Sequence, residues 1–75
     1  MNHQKTYTLI GEKLKELRIK AGYTSYEDFA MEFNLSRRHY WEVEKGRNIN
    51  IKTLVNLLTI HRMSLHQFFR DKRFK

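Results

Sequence analysis

The sequence predicts an all-α fold with a single domain, and three observations favour it. Proline is absent, glycine occurs only three times in 75 residues, and the helix-favouring residues Leu, Lys, Glu and Arg are common. Several segments repeat apolar residues at helical spacing, each behind a residue that can cap a helix. The length supports one small core, which we expect over 7–69, between a short N-terminal arm (1–6) and a basic tail (70–75).

The first helix is predicted by Ile10, Leu14 and Leu17, which fall at positions i, i+4 and i+7. We expect it to begin near Thr6 or Thr8 and to end at Gly22.

The second helix is short. Ser25 is placed to cap it, and the sequence Y-E-D-F-A-M-E-F repeats aromatic or small apolar residues at helical spacing. Asn34 follows, and asparagine tolerates the left-handed conformation in which many helices end.

A third helix is expected from about Arg37 to Lys45, capped by Ser36 and closed by Gly46. On a helical wheel, Tyr40, Val43 and Glu44 share the side that faces the core. The opposite side carries three charged residues, Arg38, Glu42 and Lys45. His39 and Trp41 lie on the two flanks between these sides.

Two further helices complete the prediction. Asn50 caps a fourth helix, in which I-K-T-L-V-N-L-L-T-I carries the widest apolar stripe of the chain. Ser64 caps a short fifth helix with Leu65, Phe68 and Phe69.

Charge is distributed unevenly along the chain. Seven basic and seven acidic residues cancel over 1–44, whereas 45–75 carries eight basic residues against Asp71, which accounts for the net charge of +7. Such an excess favours a polyanionic partner.

A resemblance to a known family is carried by four blocks of sequence. In chain order they are I-G-E-K-L-K-E-L-R, S-Y-E-D-F-A, L-S-R-R-H-Y-W-E-V-E-K-G and N-I-K-T-L-V-N-L-L. From Ile10 to about Phe69 the chain resembles the lambda-repressor-like (Cro/C1-type, XRE-family) helix-turn-helix proteins. The resemblance implies a compact five-helix DNA-binding domain with its helix-turn-helix at helices 2 and 3. It also implies a structural ion pair between Arg18 and Glu44.

The resemblance further implies two sets of DNA contacts. The side chains expected to read bases from the third helix are Arg37, Arg38, Trp41 and Glu42. The residues expected to contact phosphates are Tyr26, Ser36, Lys45, Arg47, Asn48, Asn50 and Lys52.

Simpler interpretations of the same residues remain open. Arg38 and Glu42 are four positions apart on one helix, so they could simply form an ion pair with each other at the surface. Trp41 could cover the stem of Lys45 or belong to a protein interface. Phe68, Phe69 and Phe74 exceed what a short helix needs for its core, so we expect them at a homodimer interface.

Other classes of function are disfavoured. Cysteine is absent, and His39, His61 and His66 fall on different helices, so we expect no metal and no cofactor. No spacing marks a catalytic acid and base, and no apolar run suits a membrane. We therefore expect a cytoplasmic regulator of transcription that binds double-stranded DNA, with a protein-interaction module or an RNA-binding domain as alternatives.

Overall fold

A computed structural model describes residues 3–47 and 49–75, and over these residues the chain forms helices and no strands. This confirms the all-α prediction. The elements are α1 (His3–Lys20), α2 (Tyr26–Glu32), α3 (Arg37–Glu44), α4 (Ile51–Ile60), α5 (Leu65–Phe69) and a C-terminal 3₁₀ helix (Lys72–Phe74).

Helix α1 begins earlier than the sequence indicates. It includes His3 to Thr6, the greater part of the segment that we expected to be an arm. These residues carry no apolar stripe, but Gln4 is held by two contacts. Its Nε2 donates to Thr8 Oγ1 at 3.2 Å and to the carbonyl oxygen of Gly46 at 3.3 Å, so packing against the end of α3 extends the helix.

The predicted caps begin four of the helices, and each accepts a hydrogen bond from a backbone N–H of the first turn. Ser25 Oγ accepts from Glu27 and Asp28, and Ser64 forms a complete capping box with Gln67. The remaining two caps, Ser36 and Asn50, begin α3 and α4. Side chains thus satisfy N–H groups that a helix leaves unpaired.

Helices α1 to α4 each end in a left-handed residue, with φ of 98° at Gly22, 57° at Asn34, 78° at Gly46 and 55° at Arg62. In each case the next N–H bonds back across the last turn, as from Leu35 to the carbonyl of Ala30 at 2.7 Å. This is the Schellman arrangement. Glycine and asparagine are the residues that indicate such a helix end in a sequence, whereas the arginine at position 62 does not indicate one.

Helix α3 packs against both α1 and α2, and α5 packs against α4. The core takes residues from all five helices: Ile10, Leu14, Phe29, Ala30, Tyr40, Val43, Leu54, Leu57, Leu58 and Phe68. One side of α3 is therefore fixed in the core.

Glycines permit the close approach of α1 to the end of α3. A Cβ atom on Gly11 would lie 2.5 Å from the carbonyl oxygen of Glu44 and 2.7 Å from that of Val43. A Cβ on Gly46 would lie 2.9 Å from the Cα of Thr8. Such distances leave no room for a side chain, so backbone meets backbone at this crossing.

Candidate nucleic-acid interface

The outer side of α3 carries most of the residues expected to contact bases. Arg37 and Arg38, in the first turn, are exposed, while Trp41 and Glu42, one turn later, are half-buried. Tyr40 and Val43 are buried on the opposite side. The four residues expected to read bases therefore keep accessible surface on one short helix.

The amino ends of α3 and α4 line a common open cleft of about 320 Å³, together with the side chain of Lys52. Ser36 Oγ accepts from the N–H of His39 at 3.2 Å, and Asn50 Oδ1 accepts from the N–H of Thr53 at 2.8 Å. The helix dipoles make amino ends favourable for anions, and Lys52 adds a full positive charge. Three of the residues expected to contact phosphate thus lie together.

A second basic group lies at the opposite end of α3. Lys45 Nζ is 5.8 Å, and Arg47 Cζ is 5.7 Å, from the centroid of the Trp41 ring. Both distances lie within the range of a cation–π contact. Lys45 and Arg47 are exposed, so the ring holds the two cations at the protein surface.

Two other residues expected to contact phosphate are placed differently. Tyr26 is the first residue of α2 and is half-buried, with its side chain packed in part against the core. Asn48 lies outside the described residues.

Arg18 and Glu44 form the expected ion pair beneath α3. Arg18 Nε lies 2.7 Å from Glu44 Oε2, and the two side chains retain only 4% and 7% of their accessible surface. Arg18 Nη1 also donates to the carbonyl of Tyr23 at 2.7 Å. Burial lowers the pKa of Arg18, but the hydrogen bonds and charge of Glu44 outweigh it and leave that pKa above its usual value.

The Tyr40 hydroxyl is buried beside this ion pair. Burial, reinforced by the Glu44 carboxylate, raises the pKa of Tyr40 far above its usual value. The phenol therefore remains neutral, and it contributes to the core by packing.

The aromatic residues near the carboxyl end pack on one another. Phe68 is completely buried, because Phe69 and Phe74 pack on it with ring centroids 5.0 and 5.5 Å away. In this conformation the Phe68 ring presents no accessible surface to another molecule. Phe74 is half-buried, and Phe69 keeps 36% of its surface exposed.

The basic tail is docked onto α1. Arg73 pairs with Glu16 and Asp71, and Lys13 lies 3.3 Å from Asp71 and donates to the carbonyl of Phe68 at 2.7 Å. The hydrogen bond from the Arg73 backbone N–H lowers the pKa of Asp71 most; burial opposes this, while the Lys13 and Arg73 side chains add to it. The guanidinium group of Arg73 thus forms its ion pairs with carboxylates of the same domain.

The histidines lie on different helices: His39 on α3, His66 on α5, and His61 at the end of α4. Over residues 3–47 and 49–75, His, Asp and Glu side chains form no group of three that could hold a metal ion. The His61 ring stacks on Phe29, with centroids 5.4 Å apart and planes 10° apart. Burial lowers the pKa of His61, and its Nε2 has no hydrogen-bond partner in the part of the chain described.

Comparisons with models of protein families, with curated proteins and with solved structures found no match. The resemblance to lambda-repressor-like proteins therefore depends on the residues of this chain alone.

Among the described helices, none has both the length and the hydrophobicity needed to cross a membrane.

Proposed function

We propose that this protein regulates transcription by binding double-stranded DNA at specific sequences, with α2 and α3 acting as a helix-turn-helix and α3 entering the major groove. The observation that carries the proposal is the position of Arg37 and Arg38. Both are exposed at the capped amino end of a helix whose opposite side is buried. A rigid helix presenting arginine from its first turn suits contacts to base edges.

The connection between α2 and α3 supports this proposal. Only four residues separate the helices, and Asn34 reverses the chain with a φ of 57°. Helix α3 packs on both α2 and α1, so its orientation is determined by two neighbours. Readers of the major groove need such a fixed orientation, because base contacts depend on register along the DNA.

In the proposed complex, base reading is assigned to Arg38 and Glu42 on the exposed side of α3. Arg38 donates two hydrogen bonds to guanine O6 and N7, and Glu42 accepts one from cytosine N4. Arg37 precedes Arg38 in the first turn and lies beside Asn34 and Leu35 of the turn. Trp41, which is expected to read bases as well, has a surface suited to a thymine methyl group, and its ring also lies within 6 Å of Lys45 Nζ and Arg47 Cζ.

Phosphate contacts are assigned to the two basic regions at the ends of α3. The cleft at its amino end combines Ser36, Asn50 and Lys52 with the dipoles of two helices. Lys45 and Arg47 flank its carboxyl end. Contacts on both sides of the reading residues would fix the protein in register on the groove.

The proposal is tested by selecting bound duplexes from a random pool and then measuring affinity as a function of salt. We expect an enriched sequence and a steep fall of log affinity with log salt. Arg38→Ala should relax preference at one position, by about 1–3 kcal/mol, whereas Arg47→Ala should weaken all duplexes about equally. Lys20→Ala, which removes a charge from the exposed end of α1, is the control. Absence of duplex binding at low salt refutes the proposal.

Repression or autoregulation by occupying an operator is the simplest mode of action for such a domain, and we propose that it acts as a homodimer. Apolar side chains exposed on α4 and α5 provide contact surface for a second copy: Ile51 (68% exposed), Val55 (40%), Leu65 (41%) and Phe69 (36%). A dimer would present two α3 helices about 34 Å apart to a near-palindromic site. The mass of the protein–DNA complex tests this, and one chain per duplex contradicts it.

A protein-interaction module is the second candidate, and the exposure of Met31 favours it. Met31 lies on α2 and keeps 70% of its surface accessible, beside the acidic residues Asp28 and Glu32. An exposed methionine suits an adaptable protein contact. Binding of a protein partner that persists at high salt, with no preference among duplexes, supports this candidate. Preference for single strands or loops over duplex indicates RNA instead.

A further inference from the structure

Trp41 occupies a position that connects α3 to the first two cations of the basic half of the chain. Its ring lies within 6 Å of both Lys45 Nζ and Arg47 Cζ, at 5.8 and 5.7 Å. It is the only tryptophan in the chain. Tryptophan is the aromatic residue that attracts cations most strongly, because its large ring has the most negative face.

The backbone at the end of α3 brings the two cations to this ring. Gly46, with φ of 78°, reverses the chain, and the N–H of Arg47 donates to the carbonyl of Glu42 at 2.8 Å. Lys45 is the capping residue of the same helix end. The carboxyl end of a helix attracts positive charge, so the helix end and the ring both offset the repulsion between the cations.

We propose that Trp41 is a positioning residue: its ring holds Lys45 and Arg47 ready to bind DNA phosphates, and it reads no base. This inference depends on the proposed function. Long basic side chains lose conformational freedom when they bind, and a side chain already held against a ring loses less. An anionic phosphate near both cations would also relieve their mutual repulsion.

The contact itself is tested in the free protein, without DNA. Ring currents of an indole shift the NMR signals of nearby side-chain protons, so we expect shifted signals from the Lys45 ε-methylene and the Arg47 δ-methylene. Trp41→Leu should return both signals to ordinary values, while Trp41→Phe should retain part of the shift. Ordinary values in the unaltered protein overturn the inference, whether or not the protein binds DNA.

The role of the contact is tested with two duplexes, the selected sequence and an unrelated one. If Trp41 acts through the cations, Trp41→Leu weakens both duplexes by the same factor, at most about thirty-fold for two exposed cation–π contacts. Its salt slope should fall in magnitude by up to about 1.8, which corresponds to two phosphates. Trp41→Phe should retain most of the affinity, and Trp41→Leu should add little in a Lys45→Ala, Arg47→Ala background.

The outcomes separate this inference from the proposed function. If Trp41→Leu changes the preferred base at one position, or weakens only the selected duplex, then Trp41 reads a base; the inference is overturned and the proposed function stands. If the unaltered protein binds no duplex, both fail together. Thermal unfolding of each variant shows whether the fold is intact, and if Trp41→Leu is unfolded, the comparison of Trp41→Phe with the unaltered protein on both duplexes decides.

Discussion

Replacing Gly11 by alanine tests the contact that fixes α3 against α1. Gly11 has no positive φ, so alanine fits the local backbone and should by itself stabilise the helix by about 0.5–1 kcal/mol. The new Cβ, however, would lie 2.5 Å from the carbonyl oxygen of Glu44 and 2.7 Å from that of Val43. These are backbone atoms at the end of α3, so neither can move by a simple side-chain rotation.

The two effects have opposite signs, and their magnitudes decide the outcome. Overpacking in a tight interior costs about 1–3 kcal/mol. Subtracting the gain in helix propensity leaves a net loss of up to about 2.5 kcal/mol for Gly11→Ala, with a central value of about 1 kcal/mol. A domain of this length is stable by roughly 4–11 kcal/mol, at about 0.05–0.15 kcal/mol per residue. The variant should therefore still fold, with a midpoint of thermal unfolding that falls by about 4–8 °C for each kcal/mol lost.

Urea unfolding followed by far-UV circular dichroism measures this loss, and an unchanged slope m shows that the unfolding reaction is the same. Lys15 is exposed on the same helix and supplies the control. The stability difference between Lys15→Ala and Lys15→Gly gives the intrinsic advantage of alanine in α1. If Gly11→Ala is stabilising by that same amount, α1 and α3 are not in close contact and the argument is refuted.

Three further predictions concern stability. Arg18→Met leaves the Glu44 carboxylate buried without its partner and should lower the free energy of urea unfolding by about 3–5 kcal/mol. Adding Glu44→Leu should recover most of that loss. If the double variant recovers nothing, the ion pair is not the cause of the loss. Arg62→Gly relieves a left-handed residue and should stabilise by about 0.5–1 kcal/mol, whereas a loss would show that the arginine makes a needed contact. Burial lowers the pKa of His61, so as pH falls below about 6.5 the unfolded chain binds a proton before the folded chain does. The free energy of unfolding should therefore decrease below that pH. His61→Phe, which keeps the stacking on Phe29, should reduce this decrease.

Local signals in the sequence are sufficient to locate helices α2 to α5, although they miss the first turn of α1. Ser25, Ser36, Asn50 and Ser64 each cap the helix that they were expected to begin. Helical spacing also placed Tyr40 and Val43 in the core. Capping and periodicity involve residues within one or two turns of each other, so they can be recognised without knowledge of the fold.

Contacts between distant parts of the chain were not predictable in this way. The pair between Glu16 and Arg73 joins residues 57 positions apart, and the docking of the tail buries Phe68 beneath Phe74. Periodicity shows that a side chain is apolar, but it does not show which element covers it. A surplus of phenylalanine therefore predicts an interface, whereas in the structure Phe68 is buried and Phe74 is half-buried within the domain.

A glycine inside α1 is a sequence signal of a contact with a distant part of the chain. Gly11 interrupts the helical pattern of α1 at a position where alanine would favour helix by about 0.5–1 kcal/mol. A glycine inside such a pattern indicates a packing or functional constraint. The structure identifies the constraint as the backbone at the end of α3.

The arrangement around α3 separates the residues that hold the helix from those proposed to bind DNA. Gly11 and the ion pair of Arg18 with Glu44 contact its inner side and its end, whereas Arg38 is exposed on its outer side. A change at a holding residue should therefore lower stability and, by shifting the helix, DNA affinity as well. A change at Arg38 should lower affinity with stability within about 0.5 kcal/mol of the unaltered protein. If Arg38→Ala destabilises the fold as much as Gly11→Ala does, the outer side of α3 is structural, and the main support for DNA reading is lost.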